Sequence, residues 1–501
     1  MVAIESYKFY SENIPIYVRI RTKPDEFVRV YELSIPNLSP NTELILNKIK
    51  DLLVDEVNLD MADLTDPKKK DRIREKFESQ VKIKISQFFP TVSPSAASFF
   101  KTYLIQKSLG MGKVEILLDD SNLEEIAINN AAEPIWVYHH KHGWLKTNIQ
   151  LKDEAQIRHY SNLIGRQVGR AITVLKPLMD AHLETGDRVN ATISPISKRG
   201  NTITLRKFAS KPWTIVDFLS EGTISLPLAA LVWMACQYEM SLLVSGGTAS
   251  GKTSALNAIS GFFPPNQRII SIEDTLELRL PKFLHWVPMV VRFPNTEGKG
   301  EVSMLDLMIN SLRMRPDRIV VGEIRREREA QVLFESIHTG HAVYATVHAD
   351  NTAELITRLT SPPINVPVLM LPAIAGILVM YRNRRTGIRR MLEFAEVDER
   401  GGAHVLFKLD TRTNKINAVA QSNTLIKRLA LHTGMSLPEL SNDLAEKEIV
   451  LHWLVKNRVN TVDAVGRVIA AYYANKKALL NKIKSPQEHP QKTQQKPSVP
   501  R

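Results

Sequence analysis

The residues Gly246-Gly247-Thr248-Ala249-Ser250-Gly251-Lys252-Thr253 follow the pattern G-x-x-x-x-G-K-T. Glycines at these positions let successive backbone N–H groups turn inward around an anion. A helix starting at the end of the loop aims its positive pole at the same point. The lysine of such a loop, Lys252, reaches the β- and γ-phosphates of a nucleoside triphosphate, and the Thr253 hydroxyl ligates Mg²⁺. A chance glycine-rich turn is the plain alternative. The flanks argue against it, because residues 240–244 read as a strand and residues 254–263 as a helix.

Such a loop requires carboxylates nearby. Residues 318–323, Arg-Ile-Val-Val-Gly-Glu, form an apolar strand ending in Glu323. Glu323 is therefore expected either to order water on Mg²⁺ or to hold the attacking water. A second apolar strand, 269–272, runs into Glu273 and Asp274, with Glu277 close behind. A carboxylate there can accept a proton from water attacking the γ-phosphate. Either acid alone would read as a surface group; both following apolar strands in one region makes them site candidates.

His341 and His348 flank a further apolar strand, 342–347. Their odd spacing sends them to opposite faces, which argues against a shared metal ion. From the residues alone, histidines at strand ends are more often structural than functional.

The elements that position these groups sit in a chain of 501 residues, long enough for about three domains. Hydrophobic content of 44% and charged content of 24% exclude a wholly disordered chain, a collagen-like rod and a polytopic membrane protein. With one cysteine, Cys236, neither an intramolecular disulfide nor a zinc site of paired cysteines is possible; a reducing compartment fits. The first thirty residues mix charges with apolar positions and lack the apolar core of a signal peptide. Two apolar runs, 226–236 and 366–381, are too short to span a bilayer, and both read as buried helices. The 66 Lys and Arg against 53 Asp and Glu leave a net charge of +13. This is either a solvated surface or a preference for an acidic partner such as anionic lipid, nucleic acid or nucleotide.

The pattern divides the chain as follows. An N-terminal α/β unit and helical segment occupies 1–110, and a second α/β domain 111–210. A linker at 211–225 leads to the P-loop domain at 226–390, where short unalternating apolar strands separated by helices signal a parallel sheet covered on both faces. A hairpin and helical subdomain fills 391–485, and a Pro-, Gln- and Lys-rich tail at 486–501 reads as disordered. The fold class is α/β: a P-loop domain preceded by an α+β region and followed by a helical C-terminal segment.

Taken together, 246–253 (Walker A), 272–277 (the acidic "Asp box"), 320–325 (Walker B, here VVGEIR) and 339–348 (the "His box", TGHAVYATVH) resemble one family. It comprises the secretion ATPases that drive type II secretion, type IV pili, archaella and type IV secretion systems. Gly186-Asp187-Arg188-Val189 and Thr204-Leu205-Arg206-Lys207-Phe208 are similar to the arginine-bearing part of that family's N-terminal domain. Ser361-Pro362-Pro363-Ile364-Asn365-Val366-Pro367 and Ile272-Glu273-Asp274-Thr275 look like the archaeal branch, that of the archaellum and archaeal pilus ATPases. Residues 1–105 resemble it weakly.

The resemblance implies a RecA-like domain, a homohexameric ring, ATP and Mg²⁺, and a seat at the cytoplasmic face of the membrane on an integral membrane platform protein. Peripheral contact with anionic lipid would fit, and the work would be assembly or secretion of pilin-like or archaellin-like subunits. It implies that Arg188 and Arg206 bring positive charge to the bound phosphates, and that His341 and His348 sense the nucleotide state. Arg325, with Arg313 and Arg318 nearby, would serve at a subunit interface. Residues 1–60 would dock the machine-specific partner. The chain departs from many members in lacking a four-cysteine zinc insert and in carrying Arg326-Glu327-Arg328-Glu329 after VVGEIR. A hexameric nucleic-acid translocase is the alternative, though the His box and the arginine-bearing region speak against nucleic acid.

Overall fold

The computed structural model describes residues 3–12, 14–35, 39–57, 67–183, 185–208, 212–294 and 298–484. The tail expected to be disordered, 486–501, lies outside them. The chain divides into two compact units, Met1–Ser210 with Phe293–Glu301, and Lys211–Arg292 with Val302–Arg501.

The first unit is built on a nine-stranded sheet. Its strands are β1 (Ala3–Ser11), β2 (Ile14–Arg21), β3 (Val30–Ser34), β4 (Leu123–Ile128), β5 (Trp136–His139), β6 (Gly143–Thr147), β7 (Leu178–His182), β8 (Arg188–Thr192) and β9 (Thr202–Arg206). They lie in the order β1-β2-β3-β6-β5-β4-β9-β8-β7. The segments expected as separate units, 1–110 and 111–210, therefore share one sheet. The join is a short parallel pairing, Val30 with Lys146 and Tyr31 with Thr147. Buried Asp120 reinforces it by accepting hydrogen bonds from Tyr7 at 2.6 Å and Tyr31 at 2.8 Å. Local pattern could not show this, because the pairing spans more than a hundred residues and uses two residue pairs.

In the second unit the strands are β10 (Leu242–Gly246), β11 (Arg268–Glu273), β12 (His285–Val290), β13 (Arg318–Val321), β14 (Ala342–Val347), β15 (Gly376–Arg382), β16 (Arg389–Val397), β17 (Ala403–Asp410) and β18 (Lys415–Ala418). Their order is β12-β11-β13-β14-β10-β15-β16-β17-β18. From β12 to β15 the pairing is parallel, and from β15 to β18 it is an antiparallel meander. The unalternating apolar strands expected from sequence sit in the parallel half. Leu242 and Val244 enter one core with Trp233 and Leu256, while Leu243 enters the opposite one with Leu333 and Phe334. A strand covered on both faces has no polar side to display.

Helix Leu226–Gln237 is buried from Leu228 to Cys236. Trp233 stacks on Phe262 and donates from Nε1 to the Tyr473 hydroxyl at 2.7 Å. The other apolar run, 366–381, is not the helix expected. It forms a 3₁₀ turn at Val368–Ala373 and then β15, which pairs parallel with β10. A short apolar run fits a doubly covered strand as well as a buried helix, and Pro372, inside the 3₁₀ turn, interrupts a continuous helix. No helix among the described residues is long and apolar enough to cross a membrane.

The stretch expected as a linker carries a helix, Ile215–Ser220, closed by a capping box between Thr214 and Asp217, with Ile215, Val216 and Phe218 buried. The C-terminal segment is helical as expected, over Thr424–Thr433, Leu437–Lys456 and Val462–Lys484. In it Lys447 is fully buried, ion-paired with Asp443 and 5.0 Å from the ring centre of Tyr472. Burial draws its pKa down to about 8. Cys236 is buried, and the same cause pushes its thiol up to about 12.

Candidate active site

In parallel strands the C-terminal ends share one edge, where open α/β sheets bind ligands. Here β10 ends at Gly246, β11 at Glu273, β13 one residue before Gly322-Glu323, and β14 one residue before His348. The fold thus collects the phosphate loop, Glu273, Glu323 and His348 on one edge of one sheet.

The loop is held open by backbone geometry. Gly246 has φ 147°, Ala249 φ 58° and Gly251 φ 97°, all in the region that favours glycine. A Cβ on Gly246 would lie 2.4 Å from the Met380 carbonyl oxygen, and one on Gly247 would lie 2.5 Å from Asp350 Oδ1. Lys252 starts helix Lys252–Ser260 and folds back over the loop, its Nζ donating to the carbonyls of Gly246 at 2.8 Å and Gly247 at 3.0 Å. Ser250 is 2% exposed and its hydroxyl has no hydrogen-bond partner.

Glu273 is 2% exposed. Its Oε1 accepts from the backbone N–H of Glu277 at 3.0 Å and of Leu278 at 3.1 Å, while Oε2 is buried without a partner. Burial outweighs those two bonds and raises its pKa to about 7. Glu277 contributes its N–H to this arrangement and adds negative charge beside Glu273.

Glu323 is tied to Arg325, whose Nη2 and Nε lie 2.6 and 3.0 Å from its Oε2. The same guanidinium reaches Asp274 Oδ2 at 2.8 Å. Arg325 therefore bridges the Asp box and Walker B within one chain. The divergent Arg326-Glu327-Arg328-Glu329 has a local use: Glu329 accepts from the backbone N–H of Arg325 at 2.9 Å and of Arg326 at 3.1 Å, capping helix Glu327–His338.

His348 Nε2 lies 3.1 Å from Thr248 Oγ1 in the phosphate loop. His341 is elsewhere. It precedes β14, at the opposite end of that strand, with Nδ1 3.1 Å from both Thr339 Oγ1 and the Ser336 carbonyl. Strand polarity therefore separates the two histidines, and within one chain His341 stands away from the phosphate loop. Arg318 likewise opens β13 at its far end and is fully buried, stacked 4.6 Å from the ring centre of Phe263 and bonded to Gln267 and Tyr344. Burial removes it from the expected interface role. No group of three or more His, Cys, Asp or Glu suited to a metal ion occurs among the described residues.

In the first unit, Arg188 and Arg206 are direct partners across β8 and β9. The intervening Val189, Ala191, Ile203 and Leu205 fill the core, so both arginines stand on the other face. Asp180 lies 3.9 Å from Arg188, and Glu125 is the β4 partner of Arg206.

The sequence reading missed Arg389 and Asp350. Arg389 Nε donates to the Ala249 carbonyl at 3.0 Å, and Asp350 stands against Gly247. Arg389 meets a loop 140 residues earlier in the chain, a contact that local pattern does not carry.

Over residues 107–379 the chain matches the family described as type II/IV secretion system protein. An uncharacterized protein of Methanocaldococcus jannaschii is 32% identical over 394 residues, 76% of this chain and 71% of that protein. The chain belongs to this family, the secretion ATPases that its motifs resemble, with a P-loop domain between an α+β region and a helical C-terminal segment. The type IV secretion system protein PtlH of Bordetella pertussis is 30% identical over 267 residues, 48% of this chain and 77% of PtlH. Among solved structures, the ATPase DotB of Legionella pneumophila is 19% identical over 72% of this chain and 95% of its own, with a TM-score of 0.45.

Proposed function

We propose that this chain is a motor ATPase that hydrolyses ATP to drive secretion or assembly of pilin-like or archaellin-like subunits through an integral membrane platform. The observation that carries the reading is Glu273. A buried carboxylate with one oxygen fixed by two N–H groups and the other unpartnered, and with its pKa near neutrality, is suited to take a proton from water at physiological pH.

The residues fit a nucleotide and its metal. Glycine at 246 and 247 lets the loop backbone pass close to the Met380 carbonyl and Asp350, and the unpartnered Ser250 hydroxyl and the backbone of 246–253 suit phosphate oxygens. Thr253 and Glu323 would hold Mg²⁺, which when bound offsets the charge of the phosphates. Lys252 would exchange the Gly246 and Gly247 carbonyls for phosphate oxygens. Arg325 keeps Glu323 and Asp274 compensated until then.

Arg188 and Arg206 would supply charge to the phosphates from the first unit. Two arginines in register, with Asp180 and Glu125 beside them, gather positive charge on one face of the sheet. Closure of one unit on the other around ATP, and release with phosphate, would be the power stroke. The working form would be a homohexamer at the cytoplasmic face of the membrane. His341, remote from its own phosphate loop, would read the nucleotide of a neighbouring subunit.

The test is ATP turnover by the purified chain and by Glu273→Gln, alone, with anionic vesicles and with DNA. Turnover lost in Glu273→Gln and unaffected by DNA supports the motor. Salt-sensitive stimulation by DNA would favour a translocase instead.

A further inference from the structure

Arg389 opens β16, whose neighbour β15 pairs with β10, the strand leading into the phosphate loop. Its Nε donates to the Ala249 carbonyl at 3.0 Å. Its Cδ lies 3.8 Å from where a Cβ on Gly251 would stand. The side chain thus runs along the loop between Ala249 and Gly251.

Ala249 is the residue of the loop that takes a left-handed conformation without being glycine, with φ 58°. That conformation is disfavoured for a residue with a Cβ, and the Arg389 hydrogen bond to its carbonyl helps to hold it. A trans peptide sets the Ala249 carbonyl and the Ser250 N–H on opposite sides. With the carbonyl bound outward by Arg389, the Ser250 N–H turns inward and donates to the Gly247 carbonyl at 3.3 Å. Lys252 Nζ reaches that same carbonyl at 3.0 Å. The inward side of the loop is therefore the side on which Ser250 N–H and Lys252 meet.

We infer that Arg389 is a positioning residue for nucleotide binding: by holding the Ala249 carbonyl it fixes the Ala249–Ser250 peptide, and with it the turn that the Ser250 N–H closes on the Gly247 carbonyl, in the shape that receives the diphosphate before that ligand arrives. The inference rests on the nucleotide-binding reading above. It makes the hydrogen-bond donor at the ε position the active feature, rather than the positive charge of the arginine.

Three full-length variants separate these. Arg389→Gln places an N–H donor at the ε position without charge, and Arg389→Met keeps the length without the donor. Lys252→Ala reports on the loop itself. ADP affinity is measured by calorimetry, and amide hydrogen exchange over 246–251 is followed without nucleotide. The Met variant should bind ADP about five- to ten-fold more weakly, the loss of one positioned hydrogen bond, and should exchange its loop amides faster. The Gln variant should stay within about two-fold of the parent in both, because its amide N–H takes the place of the arginine Nε–H and the charge is not what positions the peptide. Parent-like affinity and exchange in Arg389→Met would overturn the inference. So would a Gln variant as weak as the Met variant, because charge would then be the cause. If the parent itself fails to bind ADP and Lys252→Ala changes nothing, the nucleotide reading falls as well.

Discussion

His348 Nε2 and Thr248 Oγ1 stand 3.1 Å apart, which joins the end of β14 to the phosphate loop through two side chains a hundred residues apart. A residue touching the loop from the neighbouring strand can register whether the loop is filled. Thr248→Val and His348→Ala should each reduce ATP turnover. In the double variant the losses should fall short of additive by about 0.5–3 kcal/mol, the range for residues in contact. Turnover measured over the full mutant cycle checks this, and strict additivity would remove the coupling.

Glu273 makes the pH profile informative. As a base it must be ionised, so turnover should rise with pH through about 7 and level off above it. The stability effect has the opposite sign. The folded state favours protonated Glu273, so its contribution is full below the ordinary value of 4.5 and is lost as pH rises through about 7. Relative to Glu273→Gln, the parent should lose about 3 kcal/mol between pH 4 and pH 8. Denaturant titrations of both proteins at the two pH values test it.

Glu323→Gln should bind ADP and ATP yet turn over about a hundred-fold more slowly or worse, because it weakens the grip on metal and water more than on the nucleotide. Equilibrium binding and single-turnover hydrolysis measured side by side decide the point. A variant as fast as the parent would move Glu323 out of the machinery.

Neutralising Arg188 and Arg206 together should lower turnover about a hundred-fold, the scale for lost transition-state charge stabilisation, while ADP affinity at the phosphate loop stays close to that of the parent. Turnover close to the parent's would refute closure of the two units around ATP. It would leave the rest of the site standing.

Lys447→Met leaves Asp443 buried beside Tyr472 and Lys476 with its main charge partner gone. The expected cost is about 3 kcal/mol of stability. Adding Asp443→Asn should restore most of it, since asparagine can still accept from the Tyr472 hydroxyl without a buried charge. Thermal unfolding of the single and double variants gives the comparison.

The chemistry of the second unit was legible because it is local. A loop motif between a strand and a helix, and acids following apolar strands, are written in consecutive residues, and parallel order then sends Glu273, Glu323 and His348 to one edge. What was not legible depends on distant pairing. Residues 366–381 read as a buried helix, and the strand in their second half is set by its pairing with β10, more than a hundred residues earlier. That His348, rather than His341, meets the phosphate loop needed the direction of β14 as well as its existence. Arg389 reached the site only because the sheet turns antiparallel after β15.

The burial of Cys236 has a practical consequence for watching this protein work. The chain holds one thiol, fully enclosed and with its ionisation pushed up to about 12, and attacking reagents require an exposed thiolate. The native protein is already a silent background for cysteine-directed dyes and spin labels. One cysteine introduced on each of the two units would show whether the distance between them changes during turnover, with no prior substitution in the core.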